Sequence, residues 1–73
     1  MGKKSEVRLL FARRVRSLRE QQGWTQEGFA AAVGLDRAYY GRVERGLANV
    51  TLETIQTIAD GLGVEVRDLF DGG

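Results

Sequence analysis

"GLDRAYYGRVERG", residues 34–46, decides how this chain is read. It sets two tyrosines side by side, places arginines at 37, 42 and 45, and inserts Gly41 where a helix should run on. Asp36 is an N-cap candidate and Gly46 a stop, so the stretch predicts a short helix through Arg45. At about 100° per residue, Arg37, Ala38, Gly41, Arg42 and Arg45 fall within an arc of roughly 140°. Tyr40 and Val43 lie on the opposite side, with Tyr39 and Glu44 on the flanks. One face is apolar and faces a core; the other carries arginines and very small residues.

Upstream, Thr25 reads as the N-cap of a short helix with Phe29, Ala30 and Val33 inward, stopped at Gly34. Gly28 at its third position leaves no complete capping box. The two helices are joined only by Gly34-Leu35-Asp36, a turn short enough to force a sharp change of direction, as in a helix-turn-helix over about residues 25–45. A slim helix face fits the major groove of B-DNA, and arginine can donate two hydrogen bonds to guanine O6 and N7. Gly41 weakens its helix by roughly 1 kcal/mol; close approach to DNA, or to another helix, would offset that. Tyr39 can reach a phosphate through its hydroxyl. Gln26 sits in the first turn of the preceding helix, where unpaired N–H groups and the helix dipole favour an anion.

Outward from this centre the period stays helical, and proline is absent. Val7, Leu10, Phe11, Val15 and Leu18 mark a first helix from about 5 to 22, closed by Gly23. Thr51 caps a fourth helix with Leu52, Ile55, Ile58, Ala59 and Leu62 as its stripe, ended by Gly63. Val66 and Leu69 anchor a fifth over about 65–70, before a glycine-rich tail. The expectation is an all-α, five-helix domain occupying residues 1–73, with no linker or repeat.

Composition narrows the chemistry. The 73 residues contain neither cysteine nor histidine. A disulfide framework, a Cys/His metal cluster and a visible nucleophile–base constellation are therefore not expected, nor is any cofactor. The reading is of a non-enzyme, placed in the cytoplasm, with neither signal peptide nor membrane span. Net charge is only +1, but unevenly spread. Residues 1–24 carry Lys3, Lys4, Arg8, Arg13, Arg14, Arg16 and Arg19 against Glu6 and Glu20, a net +5. Residues 51–73 set Glu53, Asp60, Glu65, Asp68 and Asp71 against Arg67, a net −4. A domain with this asymmetry can turn a basic face to a polyanion and an acidic face away.

"RVRSLREQQGWTQEGFAAAVGLDRAYYGRVERG" followed by "TLETIQTIADGLGV" resembles the lambda-repressor-like, Cro/cI-type (XRE) helix-turn-helix family over about residues 9–70. Within it, "LDRAYYGRVERG" and "ANVTLETI" look like the controller proteins of restriction-modification systems. The resemblance implies a sequence-specific regulator of transcription that binds double-stranded DNA. Gln26 would contact a phosphate; Arg37, Ala38 and Arg42 would face the bases, with Gly41 against the groove. Arg45 and Asn49 would meet the DNA backbone. It also implies a structural ion pair between Arg19 and Glu44. The sequence departs from the family at Gly28, Phe29, Tyr40 and Gly41; serine or threonine is typical at the last, so no operator sequence is carried over.

One such helix reads too few base pairs for tight selection, and the family's answer is a two-fold dimer on a palindromic operator. Val64, Val66 and Phe70 are the candidates for the self-association surface, and a contact with RNA polymerase is a further partner to consider. Two other readings compete. An antitoxin-like module would bind DNA only with a partner protein, although no segment beyond the last helix is left to wrap one. The basic first helix could bind a membrane surface, but its apolar stripe is needed to cover the other helices.

Overall fold

The computed structural model describes the backbone of residues 3–71 and the side chains of residues 6–71. The tail glycines 72 and 73, and the ammonium groups of Lys3 and Lys4 counted in the basic segment, lie outside the described residues. Among the described residues four α-helices follow in order: α1 (Lys3–Gln21), α2 (Gln26–Ala32), α3 (Arg37–Glu44) and α4 (Leu52–Leu62). The expected fifth helix is instead a single stretch of 3-10 helix, Val66–Phe70. Five residues are too few to build an α-helical ladder, and the tighter winding suits a short terminal turn. A reciprocal pair of bonds between Glu65 and Asp68 closes its start.

The helix starts are set by local chemistry. Thr25 Oγ1 accepts from Gly28 N at 2.9 Å, Asp36 Oδ2 from Tyr39 N at 2.9 Å and Thr51 Oγ1 from Thr54 N at 3.0 Å. Each cap satisfies a backbone N–H with no partner inside its helix, worth about 1 kcal/mol. At the turn between α2 and α3, Gly34 adopts φ +74°, a left-handed conformation that glycine enters without steric cost. Leu35 N then returns to Ala30 O at 2.9 Å, and the chain leaves in a new direction.

Around this corner the helices wrap one core. Val15, Phe29, Tyr40, Ile58 and Leu69, drawn from all five elements, are fully buried. Burying one large apolar side chain contributes about 1.5–3 kcal/mol. α1 packs on α3, α4 and the 3-10 segment, while α2 packs on α3. Arg14 Nε donates to the Asp68 carbonyl at 2.9 Å, fastening the last turn to α1.

Two expected core positions are not in the core. Val7 is 51% exposed and Leu52 82% exposed. Both lie early in their helices, at the right period but outside the packed core. Leu10 is only half-buried, and Ala12 joins the core in its place.

Candidate nucleic-acid interface

The capped start of α3 points its side chains as its periodicity requires. Arg37, Ala38, Arg42 and Arg45 are exposed, Tyr39 is half-buried, and Tyr40 and Val43 are buried. Among the described residues, no ion pair or side-chain hydrogen bond engages Arg37, Arg42 or Arg45. Their guanidinium groups therefore stand in solvent with their donors uncommitted, along one side of a short helix.

Glu44, expected on the flank of α3, is inside: its side chain is only 1% exposed. Its partner is Arg19 at the end of α1. Arg19 Nε donates to Glu44 Oε2 at 2.7 Å and Nη2 to Oε1 at 3.0 Å, a two-pronged contact, while Nη1 donates to the Trp24 carbonyl at 2.7 Å. The Tyr40 hydroxyl donates to Glu44 Oε2, and Gln26 Nε2 to Oε1 at 3.0 Å. Burial alone would raise the Glu44 pKa, but hydrogen bonds from Arg19, Tyr40 and Gln26 outweigh it and hold the carboxylate below its ordinary range. Burial, and then the bond to Glu44, keep the Tyr40 phenol protonated far beyond its usual range. No buried side-chain polar atom among the described residues lacks a partner.

This network explains what the departures at Tyr40 and Gly41 do. Tyr40 fills its core position with an aromatic body against Phe29, with ring centroids 5.4 Å apart, and spends its hydroxyl on Glu44. Gly41 is itself buried, covered by the side chains of Gln26 and Arg45. Those two converge where residue 41 would carry a Cβ, which would lie 3.7 Å from Gln26 Oε1 and 3.4 Å from Arg45 Nη1. Gln26 is thus half-buried and tied inward, not a freely exposed amide.

Asn49 lies in the exposed α3–α4 loop, where its Oδ1 accepts from Arg8 Nη2 at 2.9 Å. Arg8, which in the sequence is legible only as part of the basic segment, is thereby brought to the loop from 41 residues away. Val64 and Val66 are half-buried against the core, and Phe70 stacks on Phe11 with centroids 5.3 Å apart, retaining 36% exposure. Leu47, at 59%, and Leu52 are the more open apolar side chains. Among the described residues there is no cluster that could hold a metal ion, and no helix long and apolar enough to cross a membrane.

Comparison with known proteins places this geometry among relatives. Residues 15–69 match the helix-turn-helix family. The control protein C.BamHI of Bacillus amyloliquefaciens is 40% identical over 68 residues, covering 92% of this chain and 84% of its own. The crystal structure of the restriction-modification controller protein C.AhdI from Aeromonas hydrophila superposes with a TM-score of 0.83 at 46% identity, over 86% of this chain and 96% of that one. The controller protein C.Esp1396I, solved as a tetramer with its natural 35 base-pair operator, superposes with a TM-score of 0.76 at 25% identity, over 89% and 96% of the two chains.

Proposed function

The chain belongs to the helix-turn-helix family, and from that premise we propose that it is a sequence-specific DNA-binding regulator of transcription, akin to restriction-modification controller proteins. The observation that carries the reading is the outer face of α3. Arg37, Arg42 and Arg45 are exposed and uncommitted there, Ala38 adds no bulk between them, and the helix is fixed from behind by Tyr40, Val43 and Glu44. A rigid, narrow helix edged with arginine suits the major groove, where guanine offers two acceptors to one guanidinium.

In this reading Arg37 and Arg42 read bases beside Ala38 and Gly41. Gln26, Tyr39, Arg45 and Asn49 hold the DNA backbone. Two copies join through the Val64, Val66 and Phe70 side and present their α3 helices to successive major grooves. The protein works in the cytoplasm, and an RNA polymerase contact would turn operator binding into activation.

Selection of bound duplexes from a random library tests this. A recovered palindrome with half-site centres about 34–36 Å apart supports the dimeric regulator. Recovery of no motif, with binding that vanishes as salt rises, would mean that the arginines grip phosphates only. On the recovered site, Arg42→Ala is expected to weaken binding by about 1–3 kcal/mol and to blur preference at one position. Undiminished binding by this variant would move the reading surface elsewhere.

A further inference from the structure

The carboxylate of Glu44 receives four donors, and one of them comes from the proposed DNA surface. Arg19 supplies two, Tyr40 one and Gln26 one. An ionised carboxylate has acceptors only. A glutamine amide in contact with it must therefore turn its nitrogen inward. Gln26 does so: Nε2 meets Glu44 Oε1 at 3.0 Å, and Oε1 lies over Gly41. Which way round this amide sits is settled by a charge buried beneath it. Arg19 and Tyr40 share the other carboxylate oxygen, Oε2, so the carboxylate itself cannot swing.

We propose that Glu44 is a positioning residue for DNA binding, holding the Gln26 side chain ordered at the protein surface with its second Nε2–H left for a DNA phosphate. The proposal rests on the reading of Gln26 as a phosphate contact. Its physical content is preorganisation. An unrestrained glutamine gives up rotamer freedom when fixed, and here that loss is incurred on folding instead of on binding. Glu44 never touches DNA; it acts through Gln26.

The test uses the full chain and a fluorescent mixed-sequence duplex of about 30 base pairs at low salt, because a phosphate contact acts on every sequence. Affinity is measured for wild type, Gln26→Ala, Glu44→Gln and the double variant. Glu44→Gln is near-isosteric, but its amide can face Gln26 either way round. The expected result is about a tenfold loss for Glu44→Gln when Gln26 is present, and under about twofold when residue 26 is alanine. Equal losses in both backgrounds would show that Glu44 acts only through the fold and would overturn the proposal. Gln26→Ala binding as tightly as wild type would instead remove the phosphate contact itself, and the proposal with it.

Should Glu44→Gln fail to fold, side-chain amide relaxation in the 15N-labelled wild type decides alone. A Gln26 NH2 group markedly more rigid than that of exposed Gln21, which donates only to the Ser17 hydroxyl at 3.2 Å, supports the positioning role; equal mobility overturns it.

Discussion

Gly41 and Gly61 both sit inside helices, where alanine would be favoured by up to about 1 kcal/mol, and they are there for different reasons. Gly61 faces α2 across a close contact. A Cβ added there would drive into Val33 Cγ1 and lie 3.1 Å from Phe29 Cζ. Gly41 is the more buried of the two, yet a Cβ there would meet only the ends of two side chains, Gln26 Oε1 and Arg45 Nη1, at ordinary contact distances. The fold excludes a methyl at 61 and admits one at 41. The contrast extends to what surrounds them. Gly61 belongs to a seam held by shape; Gly41 belongs to a seam held by a buried charge and its hydrogen bonds.

The largest effect is expected on the charged side. Arg19→Ala strands a carboxylate whose side chain is 1% exposed. Removing one partner of such a pair costs about 3–5 kcal/mol, enough to unfold much of a small domain, as urea denaturation followed by Trp24 fluorescence will register. The same seam confers acid sensitivity. The folded-state pKa of Glu44 is depressed below its ordinary 4.5. Its stabilisation is therefore complete above the unfolded value and is lost as pH falls through the folded one. A wild-type midpoint that stays flat as pH drops from above 4.5 into that lower range would contradict this account.

Gly61→Ala comes next, at about 1–3 kcal/mol from overpacking. Because that cost is steric, Val33→Ala in the same chain should return part of it, and the loss should not depend on pH. A Gly61→Ala protein as stable as wild type would erase the distinction between the two glycines.

What could be read from the sequence divides along the same line. The helix starts at Thr25, Asp36 and Thr51 were legible because a cap needs only a side chain and a backbone N–H three residues on. The exposed arginine face of α3 was legible because its period and its short neighbouring turn are local. Val7 and Leu52 keep the right period yet stand in solvent, since period tells which way a side chain points but not whether a neighbour reaches it. The inward turn of Glu44 had a signal only in the family resemblance. Its ties to Arg19 and Gln26 span 25 and 18 residues, and helical phase alone set it on a flank. The Arg8–Asn49 bond spans 41 residues and had no local signal. Nor did Gly61, because the need for glycine there belongs to Phe29 on another helix and to Val33 just beyond that helix's end.

The smallest expected effect is the one that separates fold from function most cleanly. Gly41→Ala should stabilise the free protein by up to about 1 kcal/mol, because the new methyl finds room and the helix loses its most flexible link. For a domain of this size that raises the melting temperature by about 4–8 °C. If α3 enters a groove so closely that the Arg45 side chain must settle onto Gly41, the methyl that has room in the free protein takes the space that side chain needs on the DNA. Affinity for the selected operator should then fall while stability rises, with calorimetry and fluorescence anisotropy moving in opposite senses. A variant that gains stability and keeps its affinity would show that the space over Gly41 serves neither the fold nor the DNA, and that Gln26 and Arg45 reach the backbone without it.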